Sequence, residues 1–120
     1  MSEYKIKFYK NLTTRQEPVY TYLMKIGSKD RAKIEKYLEY LRVHQGYLDE
    51  PYSKHILGKI RELRVDFFLN RHRVFYFTFI KQSIVLLHAF LKKSDKTPIE
   101  EIRKALKNYQ EVIKNPQLYE

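Results

Sequence analysis

The chain has no cysteine and no tryptophan, only three glycines and four prolines. Nowhere does it hold an uninterrupted apolar run long enough to cross a bilayer. Without cysteine there is no disulfide, no thiolate nucleophile and no cysteine-built metal cage. With glycine confined to Gly27, Gly46 and Gly58, no glycine-rich phosphate loop can be written. The opening stretch, MSEYKIKFYK, lacks the apolar core of a secretory leader, so the expected location is cytoplasmic. Acidic residues are scarce in one region: residues 61–93 carry two Asp and Glu against seven Lys and Arg.

What is present is enough to fold. The 120 residues are 43% hydrophobic and 15% aromatic, with eleven Tyr and seven Phe, which suits one domain around one modest core rather than a disordered chain. The formal net charge is +10, and its excess centres on 51–93, because 94–120 holds five basic and five acidic side chains. A basic stripe of this kind attracts nucleic acid, an anionic membrane surface or an acidic protein.

Periodicity divides the chain into elements. In YKIKFY, 4–9, Ile6 and Phe8 alternate with Lys5 and Lys7, as in a half-buried strand. Pro18 suits the first position of a short helix over 18–26, which Gly27 ends. Ser28 is read as the cap of a second helix, with Ile34, Tyr37, Leu38 and Leu41 on one face and an end near His44. The two form an αα-hairpin packed on a sheet. HQGYLDEPYSKHILG, 44–58, has no firm period and is expected to be an exposed loop. Three strands follow: one around 59–66, one at 72–80 and one at 83–90, with a turn around Asn70 and a tight turn at Lys81–Gln82. The apolar run SIVLLHAF suggests cover on both faces for much of its length, and an aromatic groove wall is one way to supply the second. Thr97, Pro98 and Glu100 start a last helix, with Ile99, Ile102, Leu106, Tyr109 and Ile113 on its apolar face. Pro116 ends it and a loose tail is expected. The order β-α-α-β-β-β-α is an α+β fold: a mostly antiparallel sheet of about four strands in one domain, 1–120.

Arg64 and Arg73 fall on adjacent strands, and Lys92 and Lys93 follow the third. Antiparallel order brings strand ends together, so these cations can converge on one side of the sheet, as a phosphodiester and its developing negative charge require. The ordinary alternative is surface arginines near Glu62 and Asp66. His88, inside an apolar strand, reads either as a core histidine with one hydrogen bond or as a proton-transfer group. His55 and His72 are weaker candidates. The histidines and paired acids lack metal-ligand spacing, so neither a metal nor another cofactor is expected. Phe75, Phe77, Phe79 and Phe90 read as core. Tyr47, Tyr52 and Tyr76 could stack on bases if exposed.

KIRELRVDFF, RHRVFYFTF and SIVLLHAFLKKSDKTPIEEIRKAL, in this order and spacing, resemble the HigB-type toxins of bacterial toxin–antitoxin modules, a phage-related branch of the RelE/ParE superfamily. The resemblance is most specific over 60–109. It implies a small RelE-like domain that enters the ribosomal A site and cuts mRNA without a metal, by attack of a 2′-OH on the adjacent phosphate. By position it assigns Arg64, Arg73, His88, Lys92 and Lys93 to catalysis, and it places Lys54 and His55 in a region that often supplies basic residues; these two, with Arg61 and the stacking candidate Tyr76, are the expected RNA contacts. It also implies a HigA-like helix-turn-helix antitoxin whose complex binds operator DNA, and no membrane partner. Relatives that poison DNA gyrase, and phage-derived relatives that only bind, are the competing readings.

Overall fold

The computed structural model describes residues 3–120, apart from the side chain of Ile80. It contains β1 (Lys5–Phe8), α1 (Pro18–Lys25), α2 (Ser28–Val43), β2 (Ser53–Leu57), β3 (Ile60–Phe67), β4 (Asn70–Phe79), β5 (Ser83–Lys92) and α3 (Ile99–Lys114). The α+β class, the helical hairpin and the final helix agree with the sequence reading. The strand count does not: one sheet of five strands, ordered β1-β5-β4-β3-β2, replaces the expected four. The additional strand is β2, in the segment read as a loop. Lys54, His55 and Leu57 on it are exposed, so an edge strand with so little buried surface leaves almost no apolar period to detect. β1 joins the other edge in parallel with β5; the remaining pairs are antiparallel.

Helices cover both faces. Val19, Leu23, Ile34, Leu38 and Leu41 from α1 and α2 pack on Leu63, Val65, Val74, Tyr76, Ile84 and Leu86. On the opposite face Ala105 and Val112 of α3 join Ile60, Phe75, Phe77, Val85 and Leu87. The apolar run in β5 therefore has two-sided cover, supplied by α3 rather than by an open aromatic wall. Ile102, Leu106 and Tyr109 belong to the buried stripe of α3, but Ile99 and Ile113 are exposed, at 65% and 44%.

Local ends differ from expectation in three places. Gly27, not Ser28, is the N-cap residue of α2. Thr97 does not cap α3, because its hydroxyl points to the Glu62 carboxylate instead. The tail is ordered: Pro116–Tyr119 makes a short 3-10 turn that buries Tyr119, whose hydroxyl accepts from the Lys10 N–H at 3.1 Å. Pro18 opens α1 as expected. The Lys81–Gln82 turn is as tight as the sequence implies, with φ of 61° and 63°.

One irregularity decides which side chains of β5 share a face. Between the pairs Phe75–His88 and Tyr76–Leu86, β5 advances two residues while β4 advances one. This β-bulge at Leu87 reverses the alternation of β5. Val85 and Leu87 point to the α3 side, and beyond the bulge His88, Phe90 and Lys92 take over that side, opposite Phe75, Arg73 and Arg71.

Candidate functional site

Cross-strand register lays out the α3 face of the sheet in rows, because directly paired residues point the same way. One row reads Lys54, Glu62, Phe75, His88 from β2 to β5. The next reads Arg64, Arg73, Phe90, and the last Asp66, Arg71, Lys92. α3 starts beside the first row and runs away from the other two, so the cationic rows lie past its N-terminus. Arg64, Arg73 and Lys92 lie on three successive strands, a span of about 10 Å at ordinary strand spacing.

Glu62 anchors this cluster. It is fully buried; Arg64 Nε donates to its Oε1 at 3.2 Å and Thr97 Oγ1 to its Oε2 at 3.4 Å. A buried carboxylate needs such partners, and here they hold the arginine in the cluster. Arg73 is 5% exposed; its Nη1 donates to Asp66 Oδ1 at 2.7 Å and to the His72 carbonyl at 2.9 Å. Its Nε is buried without a hydrogen-bond partner among the described residues. Lys92 is 7% exposed and forms no ion pair with any of the described residues. Burial lowers its pKa from the ordinary lysine value; the nearby charges of Arg73, Arg64 and Arg71 act in the same direction and Glu62 opposes them. Arg71 reaches Asp95 at 3.6 Å.

The other residues singled out from sequence are dispersed. Lys93 is exposed beyond the end of β5. His88 shares the face with Lys92 but lies four residues away along the strand, about 13 Å. Phe90 stands between them. The His88 ring stacks near Phe75 and Phe90, and its Nε2–H donates to Glu101 Oε1 on α3 at 2.5 Å. Burial lowers its pKa, against the pull of Glu101. Lys54 and His55 are exposed on the edge strand, with His55 Nε2–H donating to the Gly58 carbonyl at 2.8 Å. Arg61 is on the opposite face, where it bonds Ser53 Oγ at 3.0 Å and lies 4.6 Å from the Tyr47 ring. Tyr76 is fully buried beneath α1 and α2 with its hydroxyl 2.7 Å from Ser53 Oγ, so its ring is closed to any base. Tyr52 and Tyr47 are exposed, at 50% and 55%.

Two features escape the sequence reading. Glu62 reads there only as a neighbour of Arg64, although their i, i+2 spacing on a strand already puts both on one face. His72 is 2% exposed and ties three elements together. Its Nε2–H donates to Asp30 Oδ2 and its Nδ1 accepts from the Tyr22 hydroxyl, both at 2.7 Å. Asn70 Nδ2 adds a bond to the same Asp30 oxygen at 3.0 Å. The His72 and Asn70 hydrogen bonds hold the Asp30 carboxyl below the usual range, and burial, helped by the Asp30 charge, pushes Tyr22 up to about 12.

Two depressions flank the cluster. A pocket of about 190 Å³ opens at the β3 edge between Arg64, Arg73, Asp66, Lys33 and Tyr52. The larger groove, about 760 Å³, lies over α2 next to it. Among the described residues no group of three or more His, Asp or Glu is placed to hold a metal ion, and no helix is long and apolar enough to cross a membrane.

A buried acid that holds Arg64, with Arg73 and Lys92 on the same face and an open pocket beside the two arginines, can bind a phosphodiester and stabilise added negative charge on it. No curated protein matches the sequence. The family model described as phage-derived protein Gp49-like (DUF891) matches residues 21–110, which include most of the helical hairpin, all three cation-bearing strands and most of α3. The chain therefore belongs to the Gp49-like family of phage-derived proteins, a family associated with RelE/HigB-like toxins.

Proposed function

We propose that the protein is the toxin of a toxin–antitoxin module and cuts mRNA on the ribosome, by attack of the ribose 2′-OH on the adjacent phosphorus. The observation that carries this reading is the convergence of Arg64, Arg73 and Lys92 from three strands around buried Glu62. Guanidiniums remain charged at every relevant pH and fit phosphate oxygens in pairs, so Arg64 and Arg73 clamp the scissile group and stabilise its pentacoordinate transition state. Both arginines line the small pocket at the β3 edge, where a phosphate has access to them.

Proton abstraction falls to Lys92. Burial lowers its pKa and so favours the neutral, proton-accepting amine more than at an exposed lysine, which suits it to take the 2′-OH proton. The 2′-oxygen then bonds to phosphorus and the bond to the 5′-oxygen breaks, with that oxygen taking a proton from solvent at the open pocket. His88, held by Glu101 behind Phe90, fixes α3 on β5 in this scheme rather than moving the proton. Lys93, Lys54 and His55 are exposed and suit contacts to RNA backbone. A site this shallow does not orient a flexible strand by itself, so the ribosomal A site supplies the in-line geometry. A HigA-like antitoxin encoded beside the toxin would neutralise it and take the complex to operator DNA.

The test uses purified protein and programmed ribosomes kept intact by polyamines, with EDTA present. The message should be cut, leaving a 2′,3′-cyclic phosphate or its opened form upstream and a 5′-OH downstream. A 2′-deoxy nucleotide before the cut should abolish cleavage. Cleavage of the deoxy message, or a 5′-phosphate on the product, would mean that water attacks and would overturn the scheme. Co-expression with the neighbouring small gene should restore growth and yield a copurifying complex.

A further inference from the structure

The groove over α2 is not explained by the cation cluster. Lys33, Lys36, Tyr37, Tyr40, Tyr52 and Phe67 form most of its wall. It meets the smaller pocket of Arg64 and Arg73 through three shared residues, Lys33, Tyr37 and Tyr52. The join lies where β2 has ended and β3 becomes the sheet edge: the Arg64 N–H, past the last β2 pair, donates to the Tyr52 carbonyl at 2.8 Å. Around this edge the sheet's cationic face is continuous with the helical face.

The wall combines two chemistries. Its rings are close but not stacked flat on one another: Tyr37 and Tyr52 are 6.0 Å apart at 65°, and Tyr37 and Tyr40 are 5.7 Å apart at 40°. Tyr40 and Tyr52 are 43% and 50% exposed, so much of each ring is open to a ligand. Ammonium groups sit over the same rings, Lys33 5.8 Å from Tyr37 and Lys36 5.9 Å from Tyr40. No acidic side chain lines the groove. Flat faces for bases beside cations for phosphates are what a single strand requires, whereas a duplex hides its base faces.

We infer that this groove holds the unpaired RNA next to the scissile phosphate, with bases against Tyr40 and Tyr52 and backbone along Lys33 and Lys36. The inference rests on the RNA-cleavage reading and names the subsite that reading lacks. It gives the exposed tyrosines a role that buried Tyr76 has no access to.

The test is binding of an eight-nucleotide single-stranded RNA, dye-labelled at its 5′ end, followed by fluorescence anisotropy without ribosomes. Tyr40→Ala/Tyr52→Ala should weaken binding by about tenfold or more, the loss expected of one to two stacked bases. Tyr40→Phe/Tyr52→Phe should bind within about threefold of the parent, since stacking needs the ring and not the hydroxyl. Unlabelled duplex RNA of equal charge should compete poorly. Circular dichroism should show both variants folded, because the two rings are half exposed. Parent-like binding by the alanine variant, or equal competition by the duplex, would overturn the inference. So would an alanine variant that keeps RNA binding but no longer captures the protein encoded beside it, for the groove would then seat a protein. If the parent fails to cut message on ribosomes yet the tyrosine dependence holds, the cleavage reading falls and the RNA groove stands.

Discussion

The two ends of the central sheet are built for different work. At the end formed by residues 60–63, 74–79 and 83–87, five strands lie side by side and helices cover both faces. At the other end, β3, β4 and β5 continue alone, and one face of them carries Arg64, Arg71, Arg73 and Lys92. The first end supplies burial and therefore stability; the second is a place where apolar cover is withheld so that charge can gather. Strand β4 carries both: Val74 to Phe77 are core, and Arg73 belongs to the cation cluster. Strand length, not a separate loop, thus places this chemistry on a rigid support.

Substitutions at the cationic end should remove activity and spare the fold. Arg73→Ala is expected to lower cleavage on programmed ribosomes by about a thousandfold, the upper range for one preorganised charge-stabilising donor. It should also relieve growth arrest, while circular dichroism shows an intact fold. A folded variant as toxic as the parent at matched expression would remove Arg73 from the site.

Next in size is the contrast between the two lysines. Lys92→Met should cost about a hundredfold in cleavage rate, and Lys93→Ala no more than about threefold, since an exposed cation adds little to backbone binding. The parent rate should climb with pH through the lowered pKa of Lys92, and the Lys92→Met variant should lose that climb. Equal losses in the two variants would show that position on the face does not matter.

The same lysine ties the cationic end to stability. Its folded pKa is depressed, so between that value and the ordinary lysine value of about 10.4 the unfolded chain binds more protons. Its contribution to stability therefore rises with pH across that window and is lost as pH falls through the folded pKa. Urea unfolding from pH 7 to 10 should show the rise in the parent and a smaller one in Lys92→Met. At the covered face, His72→Ala strands the Tyr22 hydroxyl and should cost about 2–3 kcal/mol, measured as a lower urea midpoint with an unchanged slope.

The smallest effect is expected at His88. His88→Gln retains a donor toward Glu101 and should change cleavage by less than about tenfold, below the usual range for losing a general acid or base. A loss of a hundredfold or more, with the fold intact, would restore His88 as the proton-transfer group.

The covered end is the legible one in the sequence. Long periodic stretches, the helical hairpin, β4, β5 and α3, are readable because their apolar residues recur at fixed spacing. The convergence of Arg64 and Arg73 follows from antiparallel order alone. What escapes does so for physical reasons. β2 buries too little to show a period. Tyr119 is one buried ring at the end of a polar tail, without neighbours to mark it. Lys92 and Lys93 are inseparable in sequence because the bulge at Leu87 changes which residues face the site. Continued alternation from Val85 and Leu87 would have turned Lys93, not Lys92, toward Arg71. Nothing in the apolar run VLLHAF fixes where the extra residue falls.

The tie made by His72 has a mechanical consequence. His72 and Arg73 are neighbours in β4 that point to opposite faces, and one residue serves both: the His72 carbonyl accepts from the guanidinium of Arg73 while the His72 ring grips Tyr22 and Asp30. Moving α1 or α2 without breaking those grips would drag the peptide that aims Arg73. The helical hairpin is thus a counterweight to the arginine, and the proposed phosphate clamp is only as steady as a helix pair on the far side of the sheet. A partner that levered the two helices apart could disarm the clamp without ever touching it.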